Sequence, residues 1–226
     1  MANLKSKSQT ASFLPVLNSR YFVPDLSPQF HTSLLQMKPK HVFVAESPHI
    51  HEVAPSERAQ RRPLCGAAGK KWWGELSGLL EGGKPLDLSL EQLLRFCSKH
   101  RLVILNAVQF PLDPRVCQEY PEADPVKNLG FNKVSGQYSF KKLKDSEVVQ
   151  KRIVDLSQRL THPAIAHLPV HCLGNDSEWF VKRALGSLGQ EQRLGTKIPH
   201  PSAWWRKGGY YGEVAQAQLK QMFKLS

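Results

Sequence analysis

Residues 102–108, with the sequence LVILNAV, form an apolar run that contains one polar residue, Asn106. Such a run is typical of a strand that is buried on both faces of a parallel sheet. His41–Ala45 (HVFVA) has the same character, and residues 168–173 (LPVHCL) and 196–198 are two further strand candidates. The chain therefore predicts a central sheet of four strands.

Segments with apolar residues at helical spacing separate these strands. They are residues 69–80, a segment beginning at Ser89, and residues 148–160, 178–185 and 214–223. Ser89 is a predicted N-cap because Gln92 follows at the capping-box spacing, and Asn175, Asp176 or Ser177 could cap the fourth helix. Strands that alternate with helices indicate βαβ units. The predicted fold is α/β, a three-layer α/β/α arrangement with a central, mostly parallel four-stranded sheet.

The 226 residues contain no internal repeat and no linker, which predicts a single domain over residues 1–226. Residues 1–12 are basic and rich in serine, which predicts a flexible tail. Residues 110–146 are rich in Pro, Gly and Lys and predict a long loop or insertion, with a hairpin at residues 131–140 that turns at Ser135–Gly136.

The chain carries 31 Lys and Arg against 19 Asp and Glu, a net charge of +12. This balance favours a polyanionic partner, because Lys and Arg neutralise phosphates and release counterions. No apolar run approaches the roughly 20 residues of a membrane span. The four cysteines form no CxxC pair, which argues against a structural zinc site and fits a reducing compartment. We expect a cytoplasmic monomer that does not bind membranes.

Polar residues follow each predicted strand. They are residues 46–49 (ESPH), Asn106, residues 174–176 (GND) and residues 200–202 (HPS). Because the carboxyl ends of parallel strands meet at one edge of a sheet, we expect these side chains to converge there, where such sheets bind ligands.

Five stretches occur in an order and spacing that resemble the uracil-DNA glycosylase superfamily. They are residues 45–52 (AESPHIHE), 61–73 (RRPLCGAAGKKWW), 104–108 (ILNAV), 171–176 (HCLGND) and 200–206 (HPSAWWR). The branch with a Gly-Glu-Ala-Pro-Gly first motif is the most similar, and the resemblance covers about residues 42–206. It implies an enzyme that flips a base out of double- or single-stranded DNA and hydrolyses its N-glycosidic bond.

The resemblance also implies roles for individual residues. His200 would donate a hydrogen bond to the base carbonyl and stabilise the departing base, and Asn106 would read the Watson–Crick edge. Glu46 and Ser47 would orient or activate water, and Ser47 and Ser202 would lie near the phosphates that flank the flipped nucleotide.

The loop after His200 would fill the gap that the flipped base leaves in the duplex. Trp204, Trp205 and Arg206 are the candidates for this wedge. Lys207 and Lys70 are further expected DNA contacts, since both belong to basic stretches next to these motifs.

Two departures from the family pattern concern the base. Leu64 replaces the phenylalanine that stacks on it, so Phe110 or Trp72 would have to supply a ring. His49 replaces the Gly or Tyr that borders the C5 edge of a pyrimidine. Uracil is the default substrate, and both changes motivate the alternative of another modified base, including a hypermodified phage base removed in defence. No cysteine precedes Cys65, so we expect no iron–sulfur cluster and no other cofactor.

Three alternatives compete with a monofunctional glycosylase. Ser47 stands where many relatives have Asp or Asn, which favours a DNA-binding module of the same fold without catalysis. A hydrolase that uses Ser47 or Ser202 as nucleophile lacks the expected GxSxG elbow. A metal site at His49, His51 and Glu52 lacks further placed ligands, so no metal is expected.

Overall fold

A computed structural model describes residues 21–54, 60–83, 86–111, 131–132, 137–138 and 147–225. The strands are β1 (His41–Ala45), β2 (Leu102–Asn106), β3 (Phe131–Asn132), β4 (Gln137–Tyr138), β5 (Val170–Leu173) and β6 (Leu194–Ile198). Strands β2, β1, β5 and β6, in that spatial order, form one sheet in which every neighbouring pair is parallel. Strands β3 and β4 form a separate antiparallel hairpin.

Six α-helices are present in the described residues. They are α1 (Ile50–Val53), α2 (Ala67–Glu81), α3 (Leu90–His100), α4 (Glu147–Leu160), α5 (Asn175–Ser187) and α6 (Tyr210–Phe223). Short 3-10 turns occur at Thr32–Leu34, Glu191–Arg193, Pro201–Ala203 and Arg206–Gly209. None of these helices is both long enough and apolar enough to cross a bilayer.

Helices cover both faces of the parallel sheet. On one face, the ring of Phe43 in β1 contacts Trp72 of α2 at 5.1 Å and Phe223 of α6 at 6.4 Å between centroids. Helices α4 and α5 pack against each other and form the opposite layer. Because both faces are covered, β2 and β5 are buried along their whole length. The predicted three-layer α/β/α fold is confirmed, and its four-stranded sheet is wholly parallel.

The sheet has two different edges. At one edge, Leu26 pairs antiparallel with Ile104 and covers β2. At the other, β6 is only partly buried and exposes Lys197. A charged residue on an edge strand hinders pairing with another chain.

Most predicted elements lie where the sequence indicates them. The β1 prediction is confirmed, and so is the Ser89 cap, whose hydroxyl accepts the N–H of Gln92 at 3.4 Å. Helix α6 begins at Tyr210, one turn before the predicted start. The predicted hairpin is present as an antiparallel pair in which Phe131 pairs with Tyr138, a register centred one residue before the predicted turn. Its predicted turn at Ser135–Gly136, residues 1–12 and most of residues 110–146 lie outside the described residues.

The predicted caps of α5 are wrong. The helix begins at Asn175, and its N-cap is Gly174, with φ +93° and ψ −179°. Asp176 and Ser177 therefore lie in the first turn, where the Ser177 hydroxyl donates to the Gly174 carbonyl at 3.2 Å. Glycine adopts this backbone conformation without steric cost, whereas residues with a Cβ rarely do.

Candidate active site at the carboxyl edge of the sheet

The polar clusters that follow the four strands lie along one edge. Ala45 of β1 pairs with Asn106 of β2, and Leu173 of β5 pairs with Ile198 of β6. Neighbouring strands are about 4.8 Å apart, so the strand ends form one continuous rim. The chain passes from β1 to β2 on one side and continues on the other side with β5. Sheets with such a reversal usually bind ligands in a crevice at the carboxyl ends of the two strands between which it occurs, here β1 and β5.

Glu46 and Ser47 begin the loop after β1, and both are half-buried at this edge. The Glu46 carbonyl accepts the N–H of Val108 at 3.0 Å, so the loops after β1 and β2 run together. Glu46 and Ser47, which the resemblance predicts to orient or activate water, therefore lie next to the end of β2, where Asn106 is located.

The side chain of Asn106 is a buried amide next to the carboxyl group of Glu52. Within the described residues, neither its Nδ2 nor its Oδ1 makes a hydrogen bond of ordinary geometry, and neither is exposed to solvent. An unpaired buried polar group costs roughly 1–3 kcal/mol, which a ligand with complementary groups recovers. This side chain has both a donor and an acceptor to offer to such a ligand.

Glu52 in α1 places a buried carboxyl group beside this amide. The amide of Asn106 and backbone groups of His49, Leu64 and Cys65 interact with the carboxyl and favour its ionised form. Burial outweighs them and raises the pKa of Glu52 to about 8, so the group is mostly protonated at neutral pH. Its Oε2 has no hydrogen-bond partner of ordinary geometry within the described chain.

The sequence analysis considered Glu52 only as a metal ligand and missed its position next to Asn106. Helix α1 is one turn long, so no apolar periodicity indicates which of its side chains is buried. The described residues contain no cluster of three or more His, Cys, Asp or Glu side chains arranged to hold a metal ion.

The loop before α2 is fixed in an unusual conformation at Leu64. This residue has φ +59°, and its carbonyl accepts the Nε1–H of Trp73 at 2.9 Å. Helix α2 approaches the same carbonyl so closely that a Cβ on Gly69 would lie 1.6 Å from it. The Leu64 side chain is buried.

His49 borders this loop. Its ring lies 5.3 Å from that of His51 and within contact of Gly66, where an added Cβ would lie 3.4 Å from His49 Nδ1. Backbone groups of both His49 and Leu64 interact with the carboxyl group of Glu52, so the two residues lie next to it.

Trp72 and Phe110, the two proposed replacements for the stacking ring, are both buried. Trp72 is fully buried in the core between Phe43 and Trp204, so its prediction as a base-stacking ring is wrong. Phe110 is also buried, and the guanidinium of Arg152 lies 4.3 Å from its ring centre. One face of Phe110 is thus already covered by a cation.

His200 is held as a neutral hydrogen-bond donor. Both the N–H and the hydroxyl of Ser202 face its Nδ1, at 3.2 and 2.7 Å. Because Nδ1 accepts a backbone N–H, the neutral ring carries its proton on Nε2. Burial, assisted by the charge of Arg206, lowers the pKa of His200 to about 4, so the ring stays neutral at physiological pH. Nε2 makes no hydrogen bond to any described residue.

Gly174 sets the position of His200. A Cβ on Gly174 would lie 2.9 Å from the Cβ of His200, closer than such atoms approach in proteins. The strand ends of β5 and β6 can therefore pack together only because residue 174 lacks a side chain. The sequence shows that Gly174 follows a strand, but it does not show that the absence of a side chain there lets His200 lie close by.

An exposed aromatic ring with basic neighbours lies next to His200. Trp205 is 64% exposed, and Lys71 Nζ and the Arg206 guanidinium lie 5.6 and 5.8 Å from its ring centre. Lys70, Lys207 and Ser202 are exposed as well. We name Lys70, Lys71, Trp205, Arg206 and Lys207 the basic rim.

Trp204 does not belong to this surface, and its prediction as a DNA wedge is wrong. The side chain is 8% exposed and packs against Trp72 in the core. Its Nε1–H donates to the Pro199 carbonyl at 2.8 Å, which ties the loop that carries His200 to the core. Trp204 thus supports the site from beneath.

Replacing Glu52 by glutamine is expected to change how stability depends on pH. The native pKa of about 8 exceeds the ordinary value of 4.5, so wild-type stability falls as pH rises through this window. Glutamine does not titrate. The free energy of unfolding of the variant should therefore rise relative to that of wild type by a few kcal/mol, to order of magnitude, as the pH goes from 5 to 8. Urea unfolding across this range measures the gain. Glu213→Gln, at an exposed site, is the control, and a pH-independent difference for Glu52→Gln would contradict the assignment.

Comparison of the chain with models of known protein families and with curated proteins gives no match.

Proposed function

We propose that the protein is a monofunctional DNA glycosylase, which hydrolyses the N-glycosidic bond of a base flipped out of DNA and leaves an abasic site. The observation that carries the proposal is the presence, along the same carboxyl edge of the sheet, of the buried Asn106 amide and the neutral, Nε2-protonated His200. A nucleobase offers both a polar edge for the amide and a carbonyl oxygen for the imidazole.

In this mechanism the base enters the crevice and the Asn106 amide donates to and accepts from its polar edge. As the bond between C1′ and the base nitrogen breaks, its electron pair goes to the base and negative charge grows on the base carbonyl. The Nε2–H of His200 stabilises that charge. One such preorganised donor is typically worth about 3–4 kcal/mol.

The sugar that remains has oxocarbenium character. The Glu46 carboxylate stabilises its positive charge and orients a water, whose oxygen bonds to C1′ while its proton leaves to solvent. Because His200 already carries its proton on Nε2, it needs no prior protonation. The resulting products are an abasic sugar in an uncut strand and a free base.

The basic rim supplies the contact with DNA. Trp205 has the exposed ring that a wedge needs, and the lysines and arginine around it suit phosphates on either side. Filling the gap in the stack offsets the few kcal/mol that base flipping costs.

Replacing Arg206 and Lys207 together by alanine is expected to weaken DNA binding about 10-fold or more at low salt. The slope of log Kd against log salt should fall by about 2, since each phosphate contact contributes about 0.9. Fluorescence anisotropy over a range of salt concentrations measures both effects. Lys38→Ala with Lys220→Ala removes two exposed charges elsewhere and should leave the slope unchanged. Equal slopes in the two double variants would contradict the assignment of the rim.

A substrate panel tests the proposed function. Single- and double-stranded oligonucleotides carrying uracil, hypoxanthine, 5-modified cytosines or bulky modified pyrimidines are incubated with the protein, then treated with alkali to cut at abasic sites. We expect alkali-dependent cutting at one class of base. Uracil is the default substrate, and the panel includes other bases because the resemblance sets Leu64 where relatives have a stacking phenylalanine. Tight DNA binding without cutting at any base would instead support the non-catalytic module.

A further inference from the structure

Arg159 and Asp25 form a buried ion pair that binds backbone groups of Asn106. Arg159, in the last turn of α4, uses all five of its N–H donors. Its Nη1 donates to Asp25 Oδ2 at 2.8 Å and to the Asn106 carbonyl at 2.7 Å. Its Nη2 donates to the Ala107 carbonyl at 3.0 Å and to Asp155 Oδ2 at 2.9 Å, and its Nε donates to the same carboxylate at 3.0 Å.

Asp25 completes the arrangement from the other side. Its Oδ1 accepts the N–H of Asn106 at 2.8 Å, while its Oδ2 accepts from Arg159. Asp25 precedes Leu26, whose pairing with β2 holds this segment in place. Burial raises the pKa of Asp25 to about 6, against the lowering effect of Arg159, so the carboxylate is still mostly ionised at pH 7.

We propose that Arg159 and Asp25 are positioning residues that fix the Asn106 amide for reading the base. The pair binds the N–H and carbonyl of Asn106 and the carbonyl of Ala107, three backbone groups around one side chain. These bonds fix the backbone from which the Asn106 side chain extends, and so they set the position of its Cβ. This inference rests on the proposed function, since it assigns selection of the base to the accuracy with which Asn106 is held.

A second buried arginine provides a matched comparison. Arg193 donates to three backbone carbonyls, those of Leu168, Ile165 and Leu160, at 3.0, 2.9 and 3.2 Å, where Arg159 donates to two. It lies before β6, at the amino edge of the sheet and away from the candidate site. Arg159 and Arg193 are 6% and 7% exposed, so the two guanidinium groups are comparably buried, although Arg159 also pairs with the carboxylates of Asp25 and Asp155.

The experiment compares Arg159→Lys with Arg193→Lys. Lysine keeps the charge but lacks the planar fork that reaches several acceptors at once. Both variants should lower the melting temperature. For Arg159→Lys alone, we expect kcat/KM for the best base to fall 10- to 100-fold. The ratio of kcat/KM between that base and an analogue with an altered polar edge should also fall, at least fivefold. An unchanged ratio, or an equal change in Arg193→Lys, would overturn the proposal.

A second measurement does not require catalysis. In ¹⁵N-labelled protein, Arg159→Lys should speed hydrogen exchange of the Asn106 backbone N–H at least 10-fold more than Arg193→Lys does. If Arg159→Lys does not fold, Asp155→Asn, which loosens the guanidinium at its outer partner, should have the same effects to a smaller degree. Unchanged exchange at Asn106 defeats the positioning role, whereas a wild-type protein that releases no base defeats the proposed function.

Discussion

Replacing His200 by alanine is expected to slow base release by about 100- to 1000-fold, the usual consequence of losing one preorganised donor to a developing negative charge. The neutral ring, with its proton on Nε2, interacts much more strongly with the departing base than with the bound substrate. The loss should therefore be in kcat, with KM and DNA affinity changed less than about threefold. Single-turnover base release and anisotropy measure the two quantities separately.

The control for this substitution is His167→Ala, at an exposed histidine that precedes β5 at the opposite edge. It should leave both the rate and the affinity unchanged. Equal losses of rate and affinity in His200→Ala would indicate damage to the fold. A rate within threefold of wild type would remove His200 from the mechanism.

Replacing Gly174 by alanine is expected to slow base release nearly as much as removing the histidine. The added Cβ would lie 2.9 Å from the Cβ of His200, and the residue would have to hold φ +93° and ψ −179°. Relief of this contact requires His200 to move away from the crevice, so its Nε2 no longer meets the base. We expect a rate loss of about 100-fold and a stability loss of about 1–3 kcal/mol.

Gly186→Ala is the matched control, because Gly186 lies within α5, the helix that follows Gly174. A Cβ there meets Glu191 Oε1 at an ordinary 3.6 Å, and alanine favours the helix. This variant should be as stable as wild type or more so, with full activity. Full activity in Gly174→Ala would show that the position of His200 does not depend on the absence of a side chain at residue 174.

The sequence predicts the sheet well, for a physical reason. Parallel strands buried on both faces need continuous apolar residues, and the polar residues that follow them must lie at the carboxyl edge. Asn106 and His200 could be identified in this way. The two adjacent tryptophans could not be told apart, since only tertiary packing decides that Trp204 turns inward and Trp205 outward.

The surroundings of Asn106 were beyond prediction because they depend on long-range contacts. Arg159 shares a helix face with Leu156 and Leu160, which already marks it as a charged residue on an apolar side. Its partner Asp25 lies 134 residues earlier in the chain, and no local pattern connects the two. Glu52 likewise lies next to Asn106, which follows 54 residues later in the chain.

Hydrolysis of a glycosidic bond at this edge of the sheet is tested most directly by the masses of both products. The best oligonucleotide from the substrate panel is treated with the protein in ¹⁸O-labelled water under single-turnover conditions. The masses of the free base and of the DNA strand are then measured by mass spectrometry. We expect an unlabelled free base, and an uncut strand whose abasic sugar has incorporated one ¹⁸O. The absence of a free base for every oligonucleotide, or a strand cut without alkali and without ¹⁸O at the sugar, would contradict the account.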